Sequence, residues 1–368
     1  MHSGLLFALL EDLDFGNQST RFCTSDPHRG GGEAEELPYK PNRFGNPAPG
    51  AKGYPGITEV VYDREEVIVP GFLPDTPTCR AEMAQYYQSV SRIDQGLGRL
   101  VDILRKTGTW DKTMLIYISD HGIAMPGAKT TVYEGGMRSP CIVRDPYTQK
   151  RGVVTDAMIS WVDLAPTILD FANVLNESGT VKQDLVEQIE SPPPGTQTSR
   201  YVERGHFHGR SFLPVLGQQH VKGWDEVHAS HTFHEIQMYY PMRVVRGRKY
   251  KLIWNIAHSL PFPFASDLWA APTWQAQYRQ GLDAPFGAKT VRSYIHRPEF
   301  ELYDIEEDPH EGNNLADDPE YADLLDAMKK KLQQFQRDTD DPWILKSQTE
   351  SFMSRLAGKA RVPGPSRP

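Results

Sequence analysis

An α/β fold is what this 368-residue sequence predicts, and three stretches carry the prediction. Residues 113–119 (Thr-Met-Leu-Ile-Tyr-Ile-Ser) form a nearly unbroken apolar run, the pattern of a strand covered on both faces of a parallel sheet. Ahead of it, from about Thr78, the apolar residues Met83, Tyr86, Val90, Ile93, Leu97, Leu100 and Leu104 recur at steps of three and four. That is the stripe of an amphipathic helix that covers a sheet. Near the C-terminus, residues 242–255 read as a hairpin and Asp318-Pro319 opens a second amphipathic helix, so a smaller α+β unit follows the first.

Taken in order, residues 1–75 are rich in Gly and Pro and carry little regular pattern. Leu5 to Leu10 is briefly apolar, but no basic region precedes it and Glu11, Asp12 and Asp14 follow, so it is not read as a signal peptide. The first helix is expected to stop at Gly108, a residue suited to the left-handed C-terminal position. Gly96 and Gly98 within it suggest a close neighbour. Residues 158–172 read as a further helix, preceded by Ser160 to Asp163. Residues 176–200, with Ser191-Pro192-Pro193-Pro194-Gly195, read as a surface insertion. The hairpin is expected to turn at Arg246-Gly247. In the last helix Asp318 is the cap, Pro319 the first position, and Tyr321, Leu324, Leu325, Met328, Leu332 and Phe335 the buried face. The expected division is 1–235, 236–345 and a polar tail 346–368.

The composition is ordinary for a globular protein, and no run approaches the ~18 apolar residues of a membrane span. A net charge of -8 argues against nucleic acid as a partner, so any anionic ligand needs a local positive centre. Three scattered cysteines are too few for a disulfide framework, and the compartment stays open.

Chemistry is expected where the apolar strand ends, at Asp120-His121-Gly122, because open α/β sheets place ligands at the carboxyl ends of strands. A carboxylate oxygen and an imidazole nitrogen side by side could face one metal ion. On these residues alone, a turn-capping Asp beside an ordinary His is the plainer reading, because so short a motif is weak. The residues that follow narrow the choice: Lys129, then Tyr133-Glu134-Gly135-Gly136-Met137-Arg138-Ser139-Pro140. With Ile118-Ser119-Asp120-His121-Gly122 this stretch resembles the sulfatase family of the alkaline-phosphatase superfamily. Asp26-Pro27-His28-Arg29, Arg92-Ile93-Asp94-Gln95-Gly96, Tyr240-Pro241-Met242-Arg243, Glu301-Leu302-Tyr303-Asp304, Asp308-Pro309-His310-Glu311 and Asp340-Asp341-Pro342-Trp343 are similar to its sulfamidase-like branch.

The resemblance implies an alkaline-phosphatase-like mixed sheet between helices, with a smaller C-terminal α+β subdomain. It implies hydrolysis of a sulfated sugar or aryl sulfate by attack of a formylglycine residue. Asp120 and His121 would be metal ligands, with Ca²⁺ the first choice and Mn²⁺ the alternative. Lys129 would hold a sulfate oxygen, and His28 would protonate the leaving group. His234 and Glu235, in His231-Thr232-Phe233-His234-Glu235, are weaker candidates for substrate contact; pocket wall is the plainer reading. One part of the family pattern has no counterpart: neither an Asp-Asp strand end nor Cys-x-Pro-x-Arg occurs. Ser25-Asp26-Pro27-His28-Arg29 fits the Ser version only literally, because Gly30-Gly31-Gly32 follows where a helix belongs. The expectation is therefore a chain that begins partway through such an enzyme and lacks its nucleophile. The rivals are a phosphatase or phosphodiesterase of the same superfamily, and a non-catalytic anion- or glycan-binding remnant.

Overall fold

The computed structural model describes residues 4–10, 18–24, 26–30, 44–47, 50–176, 179–182, 207–235 and 238–345. Ser25, most of the expected insertion and the tail 346–368 lie outside the described residues.

Helix α1 (Pro77–Lys106) begins where its sequence favours it: Thr76 caps it by accepting from Cys79 N at 3.2 Å, with Pro77 at the first position. Arg105 and Lys106 sit in the last turn, opposite the negative end of the helix dipole, and Gly108 follows at φ 73°. Gly96 and Gly98 do not mark a close neighbour, since nothing lies within 4 Å of a Cβ built on either. They fall on the exposed side of the helix.

The first sheet has the order β2 (Gln18–Thr24), β1 (Gly4–Leu10), β3 (Thr113–Ile118), β4 (Cys141–Arg144). Strand β3 is internal, as its apolar run predicts, and it is covered on both sides. Met114, Ile116 and Ile118 pack with Phe171, Phe212, Val215 and Trp224. Leu115 packs on the other side with Leu104, Leu97 and Leu100 of α1. The expected parallel setting is corrected: β3 runs antiparallel to both β1 and β4. An apolar run reports burial of both faces, not the direction of its neighbours. Residues 1–75 also prove more regular than expected, because β1 and β2 both lie there. Helix α2 is a single turn (Glu134–Met137), and α3 (Leu164–Phe171) starts behind a cap in which Ser160 and Asp163 bond each other's backbone.

The second sheet is built from β5 (Glu226–His234), β6 (Met238–Gly247), β7 (Tyr250–Asn255) and β8 (Phe300–Asp304), in the order β8-β7-β6-β5, again antiparallel throughout. The hairpin turns at Arg248-Lys249, two residues later than expected, because Arg246 still pairs with Lys251. The division expected at 235/236 falls between β5 and β6, two strands paired within this sheet. Short helices α4 (Ser266–Trp269), α5 (Pro272–Tyr278) and α6 (Val291–Ile295) bring an aromatic cluster around Trp274 against one face. Helix α7 (Ala322–Asp338) covers the other through Met328 and Leu332, packed with Val245, Leu252 and Leu302. Its approach is capped by Asp318 ahead of Pro319.

The largest core joins the two units: Met83 and Cys79 of α1, Ala124, Met125, Val132 and Tyr133 after β3, and Tyr240, Met242, Val244 and Ile253 of the second sheet share one cluster. Met83 therefore packs toward the second sheet, whereas Leu97 and Leu104 of the same helix face the first. Helices cover both faces of β3, and the α/β class stands.

Candidate active site

The segment after β3 folds back on itself because two glycines permit it. Gly122 N donates to Gly136 O at 3.0 Å, and a Cβ on Gly122 would sit 1.7 Å from Gly135 O. A Cβ on Gly136 would meet Thr131 O at 2.3 Å. Side chains at either position would force apart the strand end and α2. Buried charges then fasten α2 to the second sheet. Glu134 pairs with Arg246 at 3.1 Å and with Lys251 at 3.1 Å, and its backbone N–H donates to Glu311 at 2.6 Å. Burial alone would push the Glu134 carboxyl up, but Lys251 and Arg246 hold it down to about 2. Tyr133 donates to Glu301 at 2.9 Å.

This frame presents Asp120, His121 and Lys129 at one end of β3. Asp120 Oδ1 accepts from His121 N at 3.1 Å and lies 3.8 Å from His121 Nε2. His121 Nδ1 is 2.8 Å from the Gly122 carbonyl. In the tautomer where Nδ1 donates to that carbonyl, the Nε2 lone pair faces the same side as the carboxylate. The pair therefore fits two donors to one divalent ion, a carboxylate oxygen and an imidazole held by a backbone acceptor. No cluster of three or more His, Cys, Asp or Glu donors occurs among the described residues.

Lys129 is buried, with a left-handed Thr130 behind it at φ 64°. Its ammonium donates to Asp267 Oδ2 at 2.7 Å and lies 3.3 Å from His28 Nε2. A neutral His28 accepts that bond; a protonated one would repel it. Burial lowers the His28 pKa, the Lys129 charge lowers it further, and Asp267 partly opposes both. His28 owes its place to its two sequence neighbours. Asp26 takes Arg92 through two contacts of 3.0 Å and accepts from Ser89 at 2.9 Å, and Arg29 is fully buried against Glu82.

His234 lies on β5 at the edge of this group. Burial lowers its pKa and the charge of Lys129 adds to the effect. Glu235, at φ 54°, has its Oε1 3.0 Å from Ser266 Oγ, at the start of α4. His231 instead points Nδ1 at Tyr240 O, at 3.2 Å, within the sheet. The structure thus brings His28 and Lys129 into contact, sets Asp120 and His121 on the same strand end, and ties Glu235 to the helix that carries Asp267. Sequence reasoning missed Asp267 altogether. The one signal was its isolation: His258 aside, it is the only chargeable residue between Lys251 and Arg279. A single charge inside an aromatic stretch must find a partner.

Residues 14–174 match the sulfatase family, and residues 287–338 match the N-sulphoglucosamine sulphohydrolase C-terminal family. The chain is 37% identical over 322 residues to N-sulphoglucosamine sulphohydrolase of Homo sapiens, covering 87% of this chain and 60% of that protein. It is 26% identical over 269 residues to an ulvan-active sulfatase of Formosa agariphila, covering 72% of this chain and 39% of the other. Among solved structures, a complex with the substrate D-glucosamine-2-N,6-O-disulfate is 23% identical, with a TM-score of 0.47, over 72% of this chain and 42% of that one. A 2-O glycosaminoglycan sulfatase is 18% identical, with a TM-score of 0.48, over 72% and 44%. The chain spans at most about three fifths of these two curated relatives.

Proposed function

This chain belongs to the sulfatase family, and on that premise we propose that it supplies the anion-binding and proton-donating groups for hydrolysis of sulfate esters or N-sulfates of sugars. N-sulfated glucosamine is the substrate we favour, by likeness to the human relative named above. One observation carries the reading. A buried ammonium, Lys129, sits 3.3 Å from an imidazole, His28, beside the Asp120–His121 pair at a strand end.

The chemistry follows from charge. Lys129 offers compact N–H donors and a positive charge to sulfate oxygens in a site where water screens little. In the resting site His28 is kept neutral by burial and by Lys129. An arriving sulfo group brings negative charge next to the ring and draws the Lys129 hydrogen bonds to itself. Both changes raise the affinity of His28 for a proton. His28 then carries that proton where the bridging oxygen or nitrogen of the sugar departs and needs it. The proton is recruited by the substrate, which keeps the acid uncharged in the empty site. Asp267 balances Lys129 and fixes the direction of its side chain.

The sulfatase family uses a divalent metal and a formylglycine. For the metal we propose Asp120 and His121 as two of the ligands, with Ca²⁺ the first choice and Mn²⁺, which accepts an imidazole nitrogen, the alternative. When bound, such an ion adds positive charge opposite the sulfate oxygens. We assign no residue of this chain to the nucleophile. His234 is proposed as pocket wall within reach of the sugar, and Glu235 as the residue that fixes α4 beneath it.

The test is calorimetric titration of the chain with N-sulfo-D-glucosamine, inorganic sulfate and inorganic phosphate. N-sulfoglucosamine should bind tightest, and Lys129→Ala should weaken it at least about tenfold, the loss of one charged contact. Equal affinities for Lys129→Ala, His28→Ala and the unmodified chain would remove the site from consideration.

A further inference from the structure

Glu82 lies in the first third of α1, fully buried, and belongs to none of the segments that deliver His28, Lys129 or Asp267. It nevertheless touches all three deliveries through two partners. Its Oε1 takes Arg29 Nη1 in an ion pair in which neither side chain has any exposed surface. Its Oε2 accepts from Thr273 N at 2.7 Å and from the Thr273 hydroxyl. Arg29 also bonds the Lys129 loop: Nε donates to Ala124 O at 3.0 Å, and Nη2 reaches Met125 Sδ at 3.0 Å. His28 is the residue before Arg29. Ala124 and Met125 lie five and four residues ahead of Lys129. Thr273 opens α5, six residues after Asp267.

We propose that Glu82 is the positioning residue of the candidate site, holding the His28 turn, the Lys129 loop and the Asp267 segment at contact distance through Arg29 and Thr273. The proposal rests on the reading of His28 and Lys129 as the working pair. Its physical basis is the cost of a buried ion without its partner. Neither Glu82 nor Arg29 can slide without stranding the other in the core, so the pair fixes relative position rather than merely adding attraction. A neutral pair of hydrogen bonds at the same place would tolerate small shifts. A buried ion pair whose guanidinium also bonds Ala124 and Met125 does not. Displacements near 1 Å at such a hub are enough to matter, since misplacement of that size costs up to about 100-fold in function.

The experiment compares Glu82→Gln with the unmodified chain by two measurements. One is the NMR titration of the His28 ring, which faces Lys129, Asp267 and His121. The other is the Kd for inorganic sulfate. Asp341→Asn is the control, because Asp341 forms a nearly as deeply buried pair with Arg243 elsewhere in the molecule. Glu82→Gln should move the His28 titration up toward that of a free imidazole and weaken sulfate by about tenfold or more. Asp341→Asn should lose stability and leave both readings unchanged. A folded Glu82→Gln with an unchanged titration and an unchanged Kd would show that Glu82 only stabilises the fold, and would overturn the proposal. If Glu82→Gln does not fold, Arg29→Lys decides, since it keeps the charge pair but loses the planar donor set on Ala124 and Met125. The same shifts are then expected, and their absence overturns the proposal. Should sulfate leave His28 unmoved in the unmodified chain, the reading of the anion site fails, while the His28 titrations still judge Glu82.

Discussion

Removing the Lys129 ammonium should expose how tightly the candidate site is balanced. Its contact with Asp267 is 2.7 Å long, with side-chain exposures of 2% and 7%. At an effective dielectric of about 20, unit charges at that distance attract by about 6 kcal/mol before desolvation is subtracted. Lys129→Ala leaves the Asp267 carboxylate buried and uncompensated, so the expected loss of stability is about 3–5 kcal/mol. Replacing both members, as in Lys129→Met with Asp267→Leu, removes the stranded charge together with the attraction and should recover most of that loss. Urea unfolding of Lys129→Met, Asp267→Leu, the double variant and the parent closes a double-mutant cycle. His28 gives a second reading. Its pKa is lowered by burial first and by Lys129 second, with Asp267 acting the other way, so Lys129→Ala should raise it. A loss below about 1 kcal/mol together with an unmoved His28 would refute the argument, because an exposed pair of that strength would be ordinary.

Three further outcomes are expected. Burial lowers the pKa values of His28, His228, His231 and His234, so below about pH 6.5 the unfolded chain binds more protons and stability falls as pH drops from 7 toward 5. Glu134, held near 2, adds stability above the usual carboxylate range that is lost as pH falls through 4.5, and urea midpoints that rise on acidification would contradict both signs. Ca²⁺ or Mn²⁺ at about 100 times its Kd should add about 2.7 kcal/mol to the unfolding free energy of the chain and less to Asp120→Asn; equal gains would place the ion elsewhere. Residues 1–368, produced with a formylglycine-generating enzyme, should bind N-sulfoglucosamine without robust turnover, since Cys-x-Pro-x-Arg is absent from them; turnover abolished by Ser25→Ala would show that Ser25 had been dismissed wrongly.

What the sequence disclosed, and what it hid, divides along the range of the interactions. The stripe of α1 and the apolar run of β3 are local periodicities, and both elements formed within a residue or two of their expected bounds. The turn of the hairpin slipped by two residues because a two-residue loop can sit at several registers when both flanks are polar. Strand β5 had no signal, as His228-Ala229-Ser230-His231 lacks the alternation of a half-buried strand. Strand direction is a long-range property, so β3 could be placed inside a sheet but not given its neighbours.

The same division runs through the candidate site. His28, Asp120, His121 and Lys129 stood out because motifs mark residues that would meet a ligand. Glu82, Asp267 and Thr273 stood in no motif that was read, although they hold the others in place. Glu82 in particular looked like one more polar residue of an amphipathic helix, and only its partners reveal otherwise. One is 53 residues away in sequence and the other 191. A buried carboxylate must be paired, but composition cannot say with which of 40 Lys and Arg residues. That choice is made by the fold, through the approach of α1 to the His28 turn on one side and to α5 on the other. The groups that would do chemistry were therefore legible one at a time, and the distances that would let them act together were not. Substitutions at Glu82 and Asp267 probe those distances without touching a group proposed to meet the sulfate. Loss of anion binding there, with His28 and Lys129 both intact, would mean that the spacing between the two is itself what the buried charges maintain.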